Sequence, residues 1–390
     1  MSYNFDKVVR RENTNCVKWD LRGETFGKAD IIPLWVADMD FETPDFILEA
    51  IRERLQHPVL AYSFRSNNYR EAIVEWIKRR NGWNIQPEWI EFTPGVVPGL
   101  AFSILAYTEK NDNIVIQPPV YHPFRETITS NERTVVNNPL QVSNEKFVID
   151  FDDLDKKLQT AKAIIISNPH NPVARAYTKD ELSELGKLCL KHGITIISDE
   201  IHSDLIQAPH CHTHIASLSN ELAQQTITFI SPSKTFNTAG LSTGVAIIPN
   251  KLKRMQYKHW IDCLHVGQGN IFGTVALEAA FRNGDDWMRE VNEYIGRNID
   301  YVINFIHQYI PNVKCYRPEA TYLMWIDFTA WNMDHESLYR FLIDKAGLGL
   351  NSGTIFGEEG KGHMRINLAC PKSTLEKAMT QLKEACSKRK

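Results

Sequence analysis

Residues 161–200, AKAIIISNPHNPVARAYTKDELSELGKLCLKHGITIISDE, contain two short apolar runs separated by an amphipathic stretch. The runs at 161–168 and 193–200 are rich in β-branched residues and lack polar alternation, which is typical of parallel strands covered on both faces. Between them, Thr178 begins a helical periodicity with a glutamate three residues later, the spacing of a capping box, and Gly193 can end the helix. The stretch therefore predicts a strand–helix–strand unit.

Comparable apolar runs occur on both sides of this unit, at 112–117 (DNIVIQ), 226–231 (TITFIS) and 244–249 (GVAIIP). Helical stretches separate several of these runs. Such an alternation predicts an α/β fold with a mostly parallel, doubly wound sheet.

The pattern changes after FRNGDD, residues 281–286, to a long helical segment followed by two strands and a final helix. We interpret residues 46–284 as a large domain. Residues 1–45 and 285–390 are predicted to form a smaller α+β domain, because the extended N-terminal stretch IIPLWVADMDF does not fit the central sheet.

Composition favours a protein that acts on small molecules. The chain has 390 residues, 43% hydrophobic and 23% charged residues and a formal net charge of −3, which gives no sign of a nucleic-acid surface. Seven scattered cysteines without a CxxC pair are typical of reduced thiols. The N-terminus lacks the apolar core of a signal peptide, and no apolar run is long enough to span a bilayer. We therefore expect a cytoplasmic protein without membrane or nucleic-acid partners.

Polar clusters directly follow three of the predicted strands. Asn168, Asn171 and Arg175 follow the first, DEIHSD at 199–204 ends the second, and SPSKTFNTAGL at 231–241 ends the third. Ligands of open α/β sheets bind beyond the carboxyl ends of the strands, so we expect these clusters to form one site.

The side chains in these clusters match the chemistry of pyridoxal phosphate. Its aldehyde needs an amine, which Lys234 supplies, and its pyridine nitrogen needs a carboxylate such as Asp199 to keep it protonated. Its phosphate needs N–H groups at the start of a helix, which TPGVVPGLAFSIL at 93–105 can offer.

Seven stretches between residues 33 and 371 carry a specific resemblance: PLWVADMDF, TPGVVPGL, QPPVYHPF, SNPHNPVAR, SDEIHSDL, SPSKTFNTAGL and HMRINLACP. The chain resembles the fold type I pyridoxal-phosphate enzymes of the class I/II aminotransferase superfamily. Within it, the chain is similar to the cystathionine β-lyase and cysteine-S-conjugate β-lyase branch, the C–S lyases that include a maltose-regulon modulator.

The resemblance implies a role for each matching residue around the cofactor ring. Lys234 would form the Schiff base and later move the Cα proton, and Asp199 would pair with the pyridine nitrogen. Asn171 would hydrogen-bond the ring hydroxyl, and Tyr121 would stack on the ring face. His202 stands where many aminotransferases have a tyrosine, and its role is left open.

The resemblance also implies how phosphate and substrate are held. Ser231 and the amides of Val96 and Val97 would bind the phosphate. Tyr62 resembles a tyrosine that reaches the phosphate of the neighbouring subunit, which implies a homodimer with shared active sites. Arg365 matches the arginine that binds the substrate α-carboxylate through its bidentate fork.

One departure from the family pattern lies in the loop after the first strand. The usual Asn-Pro-x-Gly-Arg has alanine in place of glycine, at Ala174. Because alanine resists positive φ, we expect this loop to be tightened or reshaped without loss of a ligand.

The histidines of PHCHTH, residues 209–214, could lie on one face of a strand as metal ligands. The preceding proline and the lack of a second ligand cluster favour a surface hairpin or loop instead. We predict no metal site.

The predicted function is a pyridoxal-phosphate-dependent β-elimination that cleaves L-cystathionine or a related cysteine S-conjugate to pyruvate, ammonia and a thiol. An aminotransferase would share the same cofactor contacts and is the first alternative. A regulatory protein that binds pyridoxal phosphate and acts on a transcription factor is the second.

Overall fold

The computed structural model describes residues 3–388. Its strands are β1 (Ile32–Pro33), β2 (Ile90–Thr93), β3 (Asn113–Ile116), β4 (Thr134–Asn137), β5 (Gln141–Ser143), β6 (Lys146–Val148), β7 (Ala161–Ser167), β8 (Thr195–Asp199), β9 (Thr226–Ile230), β10 (Gly244–Ile247), β11 (Lys314–Tyr316), β12 (Leu323–Asp327), β13 (Leu348–Gly349), β14 (Asn351–Ser352) and β15 (His363–Asn367).

The α-helices are α1 (Val17–Asp20), α2 (Arg22–Phe26), α3 (Asp45–Leu55), α4 (Asn67–Asn81), α5 (Val96–Tyr107), α6 (Pro123–Ser130), α7 (Phe151–Leu158), α8 (Lys179–His192), α9 (Asn220–Gln225), α10 (Pro232–Thr235), α11 (Lys251–Cys263), α12 (Ile271–Asn283), α13 (Asp285–Tyr309), α14 (His335–Asp344) and α15 (Lys372–Ser387).

A seven-stranded sheet in the order β2-β10-β9-β8-β7-β3-β4 forms the centre of the molecule. The strands from β9 to β4 are parallel to their neighbours, and β10 is antiparallel to both β9 and β2. The strand–helix–strand prediction is confirmed by β7, α8 and β8. Thr178 and Glu181 form the predicted capping box, and Gly193 ends α8 with a φ of +67°.

Helices cover both faces of this sheet, which explains why its strands lack polar alternation. Along β7, Ile164 and Ile166 pack in one apolar cluster with α7, α8 and α9. Ile165, between them, points to the other face and packs with α5, α6 and α11. The predicted α/β class with a mostly parallel, doubly wound sheet is therefore confirmed.

A second, antiparallel sheet has the order β11-β12-β15-β14. The N-terminal strand β1 pairs in parallel with β13, Ile32 opposite Leu348, so the start of the chain lies beside its C-terminal part. This pairing supports the predicted smaller domain. We propose the limits 46–284 and 1–45 with 285–390, and they stay a prediction.

The seven cysteines are free thiols. Between residues 3 and 388, no helix combines the length and the apolar character that a membrane span requires.

Candidate active site

A cavity of about 390 Å³ lies at the edge of the central sheet where the parallel strands end. Its volume is in the range of small-molecule sites. The structure brings nine of the ten predicted site residues to its wall: Lys234, Asp199, Asn171, Tyr121, His202, Ser231, Val96, Val97 and Arg365. Tyr62 does not line this cavity; it lies on the surface with 96% of its area exposed.

Lys234 lies in the short helix α10 that follows β9, and its side chain enters the cavity. Its Nζ donates a hydrogen bond to the carbonyl oxygen of Ala37 (2.7 Å). Burial is the largest influence on this amine and lowers its pKa from the ordinary lysine value. The amine is therefore easier to deprotonate than that of a surface lysine.

Asp199 ends β8 and is buried at the base of the cavity. Its Oδ1 accepts a hydrogen bond from the backbone N–H of Ile201 (3.1 Å), and within residues 3–388 no basic side chain forms an ion pair with it. Burial raises the pKa of this carboxyl to about 7. The charge of Lys234 opposes this shift only in part. A buried carboxylate without an ion-pair partner is costly, so the site favours a ligand with a positively charged N–H group.

Arg365 projects from β15 and is also buried without an acidic partner among the described residues. Its Nη1 donates to Asn171 Oδ1 (2.9 Å), and its Nη2 donates to the carbonyl oxygen of Trp35 (2.8 Å). Its Nε has no hydrogen-bond partner. Burial lowers the pKa of the guanidinium to about 10, which leaves it charged at neutral pH. An unpaired buried guanidinium favours a ligand with a carboxylate.

Tyr121 and His202 lie on the cavity wall between these charged groups. Burial raises the pKa of the Tyr121 phenol, and the nearby charge of Asp199 raises it further. Burial lowers the pKa of His202 well below its ordinary value, and its Nδ1 has no hydrogen-bond partner. His202 is therefore a neutral imidazole that can bond a ligand in the cavity.

The other end of the cavity is lined by hydroxyl and amide groups. Val96 and Val97 begin α5, where the first N–H groups of a helix have no partner within the helix. Ser231 Oγ donates to the carbonyl oxygen of Thr243 (2.8 Å) and accepts the N–H of Ser233 (3.1 Å). The hydroxyl of Thr243 is buried without a partner. These donors suit a phosphate group.

Sequence reasoning missed several cavity residues, among them Trp35, Ala37 and Thr243. Thr243 precedes β10, whereas the polar clusters that we assigned to the site from the strand pattern all follow strands. Because β10 runs antiparallel, its beginning lies at the same edge as the ends of the parallel strands. The carbonyl oxygens of Trp35 and Ala37 lie at the cavity because the N-terminal segment packs against it. No local sequence pattern indicates such a long-range contact.

The loop that carries Asn171 contains an alanine in a left-handed conformation. We expected Ala174 to resist positive φ, but its φ is +57°. Its N–H donates to the carbonyl oxygen of His170 (2.7 Å), and its own carbonyl accepts the N–H groups of Glu319 (2.9 Å) and Ala320 (3.1 Å). These three hydrogen bonds hold a conformation that costs an L-residue about 1–2 kcal/mol.

Two substitutions test whether Ala174 is held in this way. In Ala174→Gly the relief of strain is offset by loss of a buried methyl group and by a more flexible unfolded chain, so we expect stability to change by less than about 1 kcal/mol. Ala174→Val adds β-branched strain and overpacking, and it should destabilise by more than about 2 kcal/mol. Urea unfolding measures both. A valine variant as stable as the glycine variant would contradict the backbone assignment.

The prediction of a surface loop for residues 209–214 is wrong for two of its histidines. The segment contains no helix or strand, as expected. However, the side chains of His212 and His214 are only 1% and 0% exposed, because both contact the buried carboxylate of Glu200. The partner lies 12 and 14 positions earlier in the chain, in the DEIHSD stretch, which we had assigned to the cofactor site and not to a ligand cluster.

The doubly wound sheet, with this cavity at the carboxyl edge of its parallel strands, defines a protein of the fold type I class. The chain belongs to the family of class I and II aminotransferases, whose family model matches residues 29–382.

Known proteins resemble the chain over its whole length. Cystathionine beta-lyase PatB of Bacillus subtilis is 42% identical over 98% of this chain and 100% of that protein. Cystalysin from Treponema denticola, whose crystal structure contains pyridoxal 5'-phosphate, has a TM-score of 0.97 and 35% identity, with 100% of both chains covered. The pyridoxal-phosphate-bound C–S lyase of Staphylococcus hominis has a TM-score of 0.93 and 35% identity, with 99% of this chain and 98% of that chain covered.

Proposed function

We propose that this protein is a pyridoxal-phosphate-dependent C–S β-lyase acting on L-cystathionine or a related cysteine S-conjugate. One observation carries the proposal: a single cavity joins the amine of Lys234, the unpaired carboxylate of Asp199 and the unpaired guanidinium of Arg365. The names of the relatives and the cofactors in the two related crystal structures support the same activity.

The residues of the cavity fit pyridoxal phosphate. The carboxylate of Asp199 would pair with the positively charged pyridinium N–H of the cofactor. Asn171 and His202 would lie toward the ring hydroxyl. Tyr121 would stack on the ring. The N–H groups of Val96 and Val97 would hold the phosphate together with Ser231. When bound, the cofactor supplies an electron sink that stabilises negative charge on the substrate Cα.

The protein's own groups then have separate tasks. Arg365 binds the α-carboxylate and orients the substrate in the cavity. Lys234 Nζ, with its lowered pKa, takes the Cα proton. Asp199 would keep the pyridine nitrogen of the bound cofactor protonated. The Cβ–S bond breaks with its electron pair leaving on sulfur, and overall one substrate and one water give a thiol, pyruvate and ammonia.

Product stoichiometry tests this activity. The lyase should release thiol, pyruvate and ammonia from L-cystathionine in equal amounts, because one bond cleavage produces all three. An aminotransferase would leave the C–S bond intact and release no thiol. Disappearance of substrate without thiol would therefore contradict the proposal.

Arg365→Lys tests substrate binding. Lysine keeps the charge but loses the planar fork, so we expect KM for the amino acid to rise and kcat/KM to fall about 10- to 100-fold. Cofactor retention should not change, because Arg365 is assigned to the substrate. Unchanged KM and kcat would contradict the assignment.

We further propose that a second copy of the chain covers the segment around Tyr62. Residues 58–66 form no helix or strand and expose large apolar side chains, with Leu60 58%, Tyr62 96% and Phe64 84% exposed. Apolar surface of this kind is typical of a subunit interface. In such a homodimer Tyr62 would reach the phosphate in the partner's cavity.

Mixing two variants tests the shared site. Lys234→Ala and Tyr62→Ala are each expected to have low activity. If each site combines Lys234 of one subunit with Tyr62 of the other, a mixed dimer has one site with both substitutions and one site with neither. Co-expression of the two variants should therefore give more activity than either variant alone. If Tyr62 served its own subunit, each site of the mixed dimer would carry one change and no recovery would follow.

A further inference from the structure

A second cluster of ligand-type side chains lies outside the cavity and consists of Glu200, His212 and His214. The Nε2 of His212 lies 2.8 Å from Glu200 Oε2, and the Nδ1 of His214 contacts the same oxygen. The two ring nitrogens are 3.4 Å apart. All three side chains are at most 1% exposed.

The hydrogen bond on the far side of His214 decides what its Nδ1 presents to the carboxylate. Its Nε2 lies 3.1 Å from Asn81 Oδ1, and with the Asn81 amide in this orientation Nε2 is assigned the hydrogen. In the neutral imidazole, Nδ1 then has a lone pair, and this lone pair faces the oxygen of Glu200. Two electron-rich atoms in contact inside the protein require a cation between them, either an additional proton or a metal ion.

The surroundings favour a metal ion. Histidines that ligate metals donate their other N–H to an oxygen, and ligating carboxylates are themselves hydrogen-bonded. His214 donates to Asn81, and Ser198 Oγ donates to the second oxygen of Glu200 (2.6 Å), whereas the Nδ1 of His212 is buried without a hydrogen-bond partner. Two nitrogens at about 2.0–2.1 Å from a tetrahedral zinc ion are about 3.3–3.4 Å apart, which matches the separation of the ring nitrogens. The 2.8 Å between Glu200 Oε2 and His212 Nε2 is a hydrogen-bond distance, so the carboxylate must withdraw by about 0.5 Å when the ion enters.

We propose that Glu200, His212 and His214 bind a divalent transition-metal ion, with zinc the best match to two imidazoles and one carboxylate. The second oxygen of Glu200 or a water molecule would complete four-coordination. Glu200 directly follows Asp199, so the ion would fasten the loop at 207–214 to the end of β8. The ion would not line the cavity, and its task would be structural.

Metal content of the cofactor-loaded protein tests the proposal. After dialysis against a chelator and addition of zinc sulfate, we expect one zinc ion per chain to survive gel filtration, with a rise in Tm. His212→Gln and His214→Gln should each lose this ion and the rise in Tm. His210→Ala, in the same loop but outside the cluster, is the matched control and should keep both.

Two further measurements avoid reliance on variants that alter the fold. Asn81→Ala leaves the three ligands in place and should weaken zinc affinity about 10- to 100-fold. Cobalt(II) added to the unmodified protein should give the visible bands of a four-coordinate ion. Lack of stoichiometric zinc and of cobalt bands in the unmodified protein would overturn the proposal and assign a proton to the cluster. Retention of zinc in both glutamine variants would also overturn it.

Discussion

Replacing Lys234 with alanine is expected to lower turnover by about 10²- to 10⁴-fold or more, because one acid–base group contributes a factor in this range. Lys234 supplies the only amine among the residues that line the cavity in the described chain. Without it, no group in that position can take the Cα proton or bond the cofactor aldehyde. Borohydride treatment followed by peptide mass spectrometry should find the cofactor on Lys234 in the unmodified protein and on no residue of the variant.

Lys253→Met is the matched control for this experiment. Lys253 is also largely buried, and burial lowers its pKa to about 8, but its Nζ donates to Thr195 Oγ1 (2.7 Å) away from the cavity. The control variant should therefore keep its turnover and its cofactor. Full activity in Lys234→Ala, or labelling of another lysine, would contradict the assignment.

Asp199→Asn should lower kcat about 10²–10³-fold, the size of effect seen when one preorganised electrostatic contact is lost. Asparagine has nearly the same shape but cannot hold a positive charge at the pyridine nitrogen, so the electron sink is weakened. Although kcat falls, the thermal stability of the protein should rise. The cofactor-free variant is expected to have a higher Tm, because it no longer buries a carboxylate without a cation.

These two readouts separate a chemical role from a structural one. A structural aspartate would lower Tm when replaced, and turnover would fall only with the folded fraction. Normal turnover in a folded Asp199→Asn protein would remove this residue from the mechanism.

Much of the fold could be predicted because its pattern is local. The apolar run of β7, the capping box at Thr178 and the glycine that ends α8 each act over a few residues and agree with one another. Eight of the nine predicted site residues at the cavity share it for a related reason: they end or follow strands whose carboxyl ends lie at one edge of the central sheet. Arg365 instead comes from β15 of the second sheet.

The features that were missed depend on strand direction and on contacts between residues that are far apart in the sequence. Thr243 lies at the cavity because β10 runs antiparallel, and the direction of a strand is not visible in its composition. Ala174 keeps a left-handed φ because distant backbone groups bond it. The side chain of His214 is buried against Glu200, which directly follows β8 and lies 14 positions earlier in the chain.

The direct test of the central claim is the release of pyruvate from L-cystathionine by the purified, cofactor-loaded protein without any added keto acid. A β-lyase regenerates its cofactor in each cycle, so we predict steady release over many turnovers. An aminotransferase would stop after one turnover for lack of an acceptor and would form no pyruvate from this substrate. Loss of L-cystathionine that stops after one equivalent per site, without pyruvate, would contradict the account.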